Sequence, residues 1–197
     1  MVQAILDGRK TVTRRVIKLD LGLADADKND SSWLKIPDEY GDYHDAKDLC
    51  RYKVGDIIYV RETWAKIEDF INYADVEINQ ELKYLFKCDD EGKEHAFIDV
   101  GVKRWRPSIH MPKELARIFL KVTDVRVEKL QDITEEQVLR EGISVKWDNG
   151  ADRFTYPWEE FMYLWNSTIN KKDLDKYGWK TNPWVWVIEF ERVEVKQ

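Results

Sequence analysis

A chain of 197 residues suits one domain with insertions or two small ones, and is long enough to bury a core. Charged residues at 36% and hydrophobic ones at 43% exclude both a membrane protein and a disordered chain. The balance of 32 basic against 38 acidic residues, a formal net charge of -6, argues against an indiscriminate nucleic-acid coat but leaves room for a local basic site. No run approaches the ~18 apolar residues of a spanning helix, and no basic-then-apolar export signal opens the sequence, so a cytoplasmic protein without membrane association is expected. Cys50 and Cys88 are too few for a disulfide framework, although a single bridge stays open.

In chain order, Val2, Ile5 and Leu6 recur at helical spacing, and Gly8 can close that short helix. The β-branched stretch Thr11 to Val16 then reads as a strand. Five cations (Arg9, Lys10, Arg14, Arg15, Lys18) face a single acid, Asp7, in this opening segment, whereas residues 19–50 hold nine acids against three lysines without periodicity and read as a long polar insertion. Within it, Asp25 to Asn29 begins like a calcium loop, but Asp30 stands where that loop needs Gly and Ile36 where it needs Glu, so no metal site is assigned. Strands are predicted from Gly55 to Val60 and from Ile118 to Val127, with a second insertion over 65–100. Ile133 to Gly142 predicts a two-turn helix: Thr134 and Gln137 form a capping box, Ile133 and Val138 a staple, and Gly142 a left-handed stop. An added helix near 155–168 starts at Pro157 and carries Trp158, Phe161, Met162 and Trp165 as a core stripe. Trp184, Trp186, Ile188 and Phe190 alternate with Val185, Val187, Glu189 and Glu191 as a last strand with one fully buried face. No repeat or Gly/Pro/Ser-rich linker divides the chain, so 1–197 is read as a single domain. Its class is α+β, a small mixed or open β-barrel with short flanking helices.

Three constellations carry potential chemistry. Gly8 to Arg15 puts cations and two hydroxyls at a helix-to-strand junction; a Thr hydroxyl becomes a nucleophile when a neighbouring base takes its proton, and a lysine with a depressed pKa is such a base. Lys10 can serve Thr13 only if it lies off the strand, since residues 10 and 13 of a regular strand point oppositely. A solvated basic turn explains the same residues. Glu141, in the last turn of its helix, faces the negative end of the dipole at a cost of about 0.3–1 kcal/mol, a local conflict of the kind found at functional sites, or else a surface acid paired with a cation. Arg104 to Pro112, with Trp105, Arg106, Ser108 and His110 between prolines, suits a wall where bases stack and phosphates pair, or a rigid loop anchored by Trp105. Tyr59 to Trp64 adds Arg61, Glu62 and Trp64 at a strand end, with an internal Arg61–Glu62 pair or a scaffold role both open. His44, Cys50, Cys88, His95 and His110 lack the close paired spacings of zinc sites, and phosphate-loop, dinucleotide and serine-hydrolase strings are missing, so no cofactor is expected.

Together Gly8-Arg9-Lys10-Thr11 with Thr13 and Arg14, Val54-Gly55-Asp56, the Ile133–Gly142 helix and the closing Trp184–Phe190 strand resemble the ASCH family of PUA-like β-barrels. Val60 to Trp64 and Trp105 to Pro112 resemble the longer ASCH proteins of bacteriophages and prophages, whose setting would be the host cytoplasm. Such proteins usually carry an apolar strand ahead of the segment that here begins at Met1. The resemblance implies binding of RNA or a modified nucleoside in a cleft lined by Lys10, Thr13, Arg61, Glu62, Arg106 and Glu141, with Arg9, Arg14, Trp64, Ser108 and His110 as further contacts. It also implies a metal-free amidohydrolase, because a small bacterial ASCH enzyme cleaves N4-acetylcytidine with a Lys, a Thr and a Glu that correspond to Lys10, Thr13 and Glu141. A non-catalytic RNA-binding module, an ASCH-type ribonuclease, and a phage assembly or host-interaction protein with a protein partner are the alternatives.

Overall fold

The computed structural model describes residues 1–18, 34–37, 40, 42–66, 83–90, 102–145, 147–148 and 153–194. Most of the two expected insertions, with the calcium-like Asp25–Asn29 string and His95, lies outside the described residues. Helix α1 (Val2–Leu6) is followed by β1 (Val12–Val16), β2 (Lys35–Pro37), β3 (Tyr43–Asp45), β4 (Ile57–Tyr59), β5 (Trp64–Lys66), β6 (Tyr84–Phe86) and β7 (Phe119–Lys129). Then come α2 (Glu135–Arg140), β8 (Trp147–Asp148), β9 (Arg153–Phe154), α3 (Pro157–Thr168), α4 (Leu174–Tyr177) and β10 (Trp184–Val193). The class is α+β with antiparallel sheets and short helices. The principal sheet has the order β1-β10-β7-β4, and three two-stranded ribbons pair β2 with β3, β5 with β6, and β8 with β9. Among the described residues no helix is long and apolar enough to cross a membrane.

The chain clusters into two compact units. One comprises Met1–Asp7, Ile58–Leu120 and Arg192–Gln197, and the other Gly8–Ile57 and Lys121–Glu191. In the second unit β1 runs antiparallel to β10 with Val12 opposite Glu189, Thr13 opposite Ile188 and Arg14 opposite Val187. The aliphatic face of this pair is closed by the two helices: Val12, Val185 and Val187 pack with Leu130, Val138, Phe161 and Trp165. The opposite face packs Trp184 with Ile17, Leu34, Ile36, Ala46 and Val127. β10 is thus buried on both faces, not on one, because α2 and α3 cover the valines that simple alternation would leave at an outer surface. Trp184 and Ile188 are buried; Trp186 is half-buried and donates its indole N–H to Ala46 O at 2.8 Å.

α3 departs from its expected stripe at one end. Phe161 and Trp165 are buried, Met162 is half-buried, and Trp158 is exposed, stacked on Tyr156 with ring centroids 6.2 Å apart. A first-turn indole at i-3 from Phe161 shares its face in projection but reaches past the edge of what the sheet covers. The first unit has its own apolar cluster, in which Trp64, Met111 and Ala116 meet Tyr59, Tyr84, Phe86, Leu115 and Phe119.

Glycine is required at 178 by space, not by left-handed backbone: φ there is -68°, and an added Cβ would stand 2.6 Å from Leu174 O. That carbonyl also accepts the Gly178 N–H at 2.9 Å, closing α4. Gly178→Ala should therefore cost about 1–3 kcal/mol in urea-induced unfolding, the range for forcing one carbon into filled space.

Candidate functional site

The candidate residues divide between the two units. Lys10, Thr13, Arg9, Arg14 and Glu141 belong to the second, whereas Arg61, Glu62, Trp64, Arg106, Ser108 and His110 belong to the first.

In the second unit, local chemistry sets α2 and then delivers Glu141. Thr134 Oγ1 accepts the Gln137 N–H, and Gln137 Oε1 accepts the Thr134 N–H at 3.1 Å, the capping box expected from the sequence. Glu141 follows as the C-cap, and Gly142 takes φ of 87° to turn the chain away. The helix end docks on the entry to β1: Thr11 N donates to Arg140 O at 2.9 Å, and Lys10 and Glu141 form an isolated antiparallel bridge. Lys10 thus lies off the strand, which begins at Val12.

Lys10 Nζ donates to Glu141 Oε2 at 2.6 Å, to Glu141 O at 2.9 Å and to Val12 O at 2.8 Å, so all three of its protons are engaged. Arg14 approaches the same carboxylate, Nη1 to Oε1 at 3.2 Å, and Nη2 donates to Gln137 Oε1 at 2.8 Å. Glu128 Oε2 lies 3.4 Å from Arg14 Nη2. The group is inside the protein: Lys10 is 7%, Arg14 3% and Glu141 3% exposed. Among the described residues Arg14 Nε has no hydrogen-bond partner. Burial pushes the Lys10 pKa below its ordinary value, the Glu141 charge opposes that shift, and Arg15 and Arg14 reinforce it.

Thr13 is half-buried, and β1's alternation places it on the face opposite Val12 and Arg14. Its hydroxyl is not among the partners of Lys10. The connection between them is through the backbone, since the Val12 carbonyl that binds Nζ belongs to the peptide leading into Thr13. Arg9 is exposed and donates to Gly142 O at 3.4 Å.

In the first unit Glu62 is 1% exposed and pairs not with its neighbour Arg61 but with Arg117, which donates Nε to Oε2 at 2.9 Å and Nη2 to Oε1 at 2.8 Å. The Cys88 thiol donates to the same Oε1 at 2.8 Å. Arg61 instead donates to Ile109 O at 3.1 Å and to Tyr59 Oη at 3.1 Å. Arg106 sits over the Trp64 ring, 5.1 Å from its centroid, and each exchanges backbone hydrogen bonds with the other. Among the described residues Trp64 Nε1 has no hydrogen-bond partner. Ser108 and His110 belong to a single 3-10 turn, Ser108 half-buried and His110 exposed. Both cysteines are free and buried, so the bridge left open by composition is not formed.

The sequence singles out Lys10 and Glu141 but not the role of Gln137, which accepts from Arg14 Nη2, nor Arg117, which holds the Glu62 carboxylate. Gln137 stands four residues before Glu141 on the same helical face, the spacing that could have signalled it. Arg117 is 55 positions from Glu62 and no local pattern announced it. Among the described residues no group of three or more His, Cys, Asp or Glu is arranged to hold a metal ion. No family model matches the chain, and neither a curated protein nor a solved structure matches it.

Two outcomes follow from these contacts. Glu141→Gln strands two buried cations and should lower stability by about 3–5 kcal/mol in denaturant unfolding, whereas Glu128→Gln, whose partners are Arg14 at 3.4 Å and the part-exposed Arg126 at 2.5 Å, should cost about 1 kcal/mol. Burial, with Glu62 beside it, pushes the Cys88 thiol from 9.0 up to about 12. Above pH 9 the unfolded chain therefore sheds this proton while the folded chain keeps it, and stability falls as pH rises from 9 toward 12. Cys88→Ser, which keeps a donor to Glu62 and does not titrate there, should flatten the decline of unfolding free energy measured from pH 8.5 to 11.

Proposed function

We propose that this chain is an ASCH-type, PUA-like domain that binds RNA or a modified nucleoside and hydrolyses the amide of N4-acylated cytidine through Lys10, Thr13 and Glu141. The observation that carries this reading is the buried 2.6 Å contact between Lys10 Nζ and Glu141 Oε2, with the Lys10 pKa driven down by burial. Residues 131 apart in sequence, singled out for the same chemistry, are joined by two hydrogen bonds from Lys10 Nζ. The four-stranded sheet is compatible with a small open barrel.

On this reading the pair acts as a proton couple. Glu141 takes a proton from Lys10, leaving a neutral amine and a carboxylic acid, a transfer that the low-dielectric surroundings favour because it removes two buried charges. Lys10 then releases Val12 O and accepts the Thr13 hydroxyl proton as Thr13 Oγ1 attacks the acyl carbon. Protonated by Glu141, the N4 amine departs as cytidine. Water, deprotonated by the couple in a second cycle, hydrolyses the acyl-threonine and restores the starting state. Arg14, hydrogen-bonded to Glu141 Oε1, keeps the other oxygen aimed at Lys10.

One observation favours a second reading, a binding module without turnover: in the resting arrangement Lys10 has no free N–H and Thr13 is outside its hydrogen bonds.

Incubation of the purified protein with N4-acetylcytidine and chromatography of released cytidine separates the two. The amidohydrolase releases cytidine, loses about 10²–10⁴-fold in rate as Thr13→Ala or Lys10→Ala with folding confirmed by circular dichroism, and gains kcat/KM with rising pH as Lys10 becomes neutral. A folded wild type that releases none, while holding single-stranded RNA with an affinity that Thr13→Ala leaves unchanged, establishes the binding module instead.

A further inference from the structure

The second unit has a cleft of about 380 Å³ that the proposed chemistry does not use. It runs along α3 beside the segment that leaves Gly142, and its walls include Ile143, Ser144, Glu160, Tyr163, Leu164 and Ser167. Glu160, Tyr163 and Ser167 recur at i, i+3 and i+7, so one helical face supplies a carboxylate, an aromatic ring and a hydroxyl. Leu164 and Ile143 give an apolar floor. The size is that of a small-molecule or side-chain pocket.

Its charges select the occupant. The carboxylate of half-buried Glu160 has no hydrogen-bond or ion-pair partner among the described residues, and Tyr163 is 68% exposed. Ser167 spends its proton on Leu164 O at 2.7 Å, so its oxygen is left as an acceptor. Among the described residues no lysine or arginine lines the cleft; Arg9 donates from Nη1 to the carbonyl O of Gly142, a residue of its wall. Glu159, the preceding acid, is committed to the helix start through the Tyr156 N–H. An unpaired carboxylate beside an open phenol ring, with acceptors and no lining cation, repels phosphate and attracts a flat cationic donor.

We propose that this cleft binds a guanidinium group, the side chain of an arginine presented by a partner polypeptide. The guanidinium places two parallel N–H donors on the Glu160 oxygens and lies flat on Tyr163, and the aliphatic stem of the arginine covers Leu164 and Ile143. A lysine ammonium satisfies the charge but offers neither the planar face nor the paired donors. The net charge of -6 assists the approach of a basic partner. This inference is independent of hydrolysis at Lys10 and Glu141.

The test uses the isotope-labelled full chain titrated with N-acetyl-arginine methylamide, read by amide chemical shifts. Saturable shifts confined to residues 142–144 and 160–167 are expected. The citrulline analogue, which keeps the shape and loses the charge, and the Glu160→Gln variant should each bind at least about tenfold more weakly, a difference of about 1.4 kcal/mol. Tyr163→Leu should weaken arginine more than lysine methylamide, and Glu136→Gln, an exposed acid outside the cleft, should change nothing. Absent or non-saturating shifts, equal binding of citrulline, an unaffected Glu160→Gln variant, or shifts produced there by guanosine and not by arginine each overturn the proposal.

Discussion

Burying Lys10, Arg14 and Glu141 together constrains much of the second unit. Each charge alone would be costly inside a protein, and their attraction offsets desolvation only when the geometry is close and the remaining donors are satisfied. That requirement fixes the register between the end of α2 and the start of β1, because a shift of one residue would strand a cation or a carboxylate. The backbone follows the same rule: Arg140 O and Glu141 O are terminal carbonyls of the helix, and they are satisfied by Thr11 N and by Lys10 Nζ. Lys10 is at once the counter-ion of Glu141 and the cap of its helix. The acid at the negative end of the dipole, unfavourable locally, becomes tolerable because a buried ammonium sits on that end.

The first unit solves a similar problem with other groups. Glu62 is buried to the depth of the core aliphatics Val12 and Ile118, and Arg117 binds it with two donors while lying 4.1 Å from the centre of the Phe86 ring. Two carboxylates, Glu62 and Asp89, share that arginine, and they hold its pKa above the ordinary value despite burial. The difference between the two units is chemical. Arg117 cannot give up its proton, so its cluster can only hold charge in place, whereas a lysine whose pKa is already lowered can exchange a proton with its carboxylate. On the proposed reading, that contrast assigns acid–base work to the second unit.

What was legible in the sequence follows the range of the interaction. The capping box of Thr134 and Gln137, the left-handed Gly142 and the strand of β1 are set by residues within a turn of one another, and each stands where sequence placed it. Trp158 was misplaced because periodicity tells which face a side chain takes, not how far the covering surface extends. The valines of β10 were placed on an outer face for the complementary reason, since nothing in a strand announces the helices that arrive over it. A pair of Arg61 with Glu62 was one of the readings that adjacency left open, but successive residues of an extended chain point to opposite sides, and the buried carboxylate found its cation in Arg117. Glu141 was legible as a conflict and illegible as a contact: its oddity was local, and its resolution lay at the other end of the chain.

Gly142 joins the two candidate sites of the second unit. The residue before it carries the buried carboxylate, and the residues after it form one wall of the cleft along α3. Because Glu141 is tied by Lys10 and Arg14 and the turn at Gly142 is tight, Ile143 and Ser144 leave from a fixed point. α3 is held as firmly from its other side, where Phe161 and Trp165 belong to the same core as Val138 of α2. Both walls of the cleft are thus anchored to one packed layer. A group entering between them meets a site whose shape is already set, so binding there need not supply the free energy of ordering a loop. The same rigidity separates the cleft's charge from the buried pair. Glu160 can be neutralised by an incoming cation without disturbing Glu141, whose two oxygens are already occupied by Lys10 and Arg14.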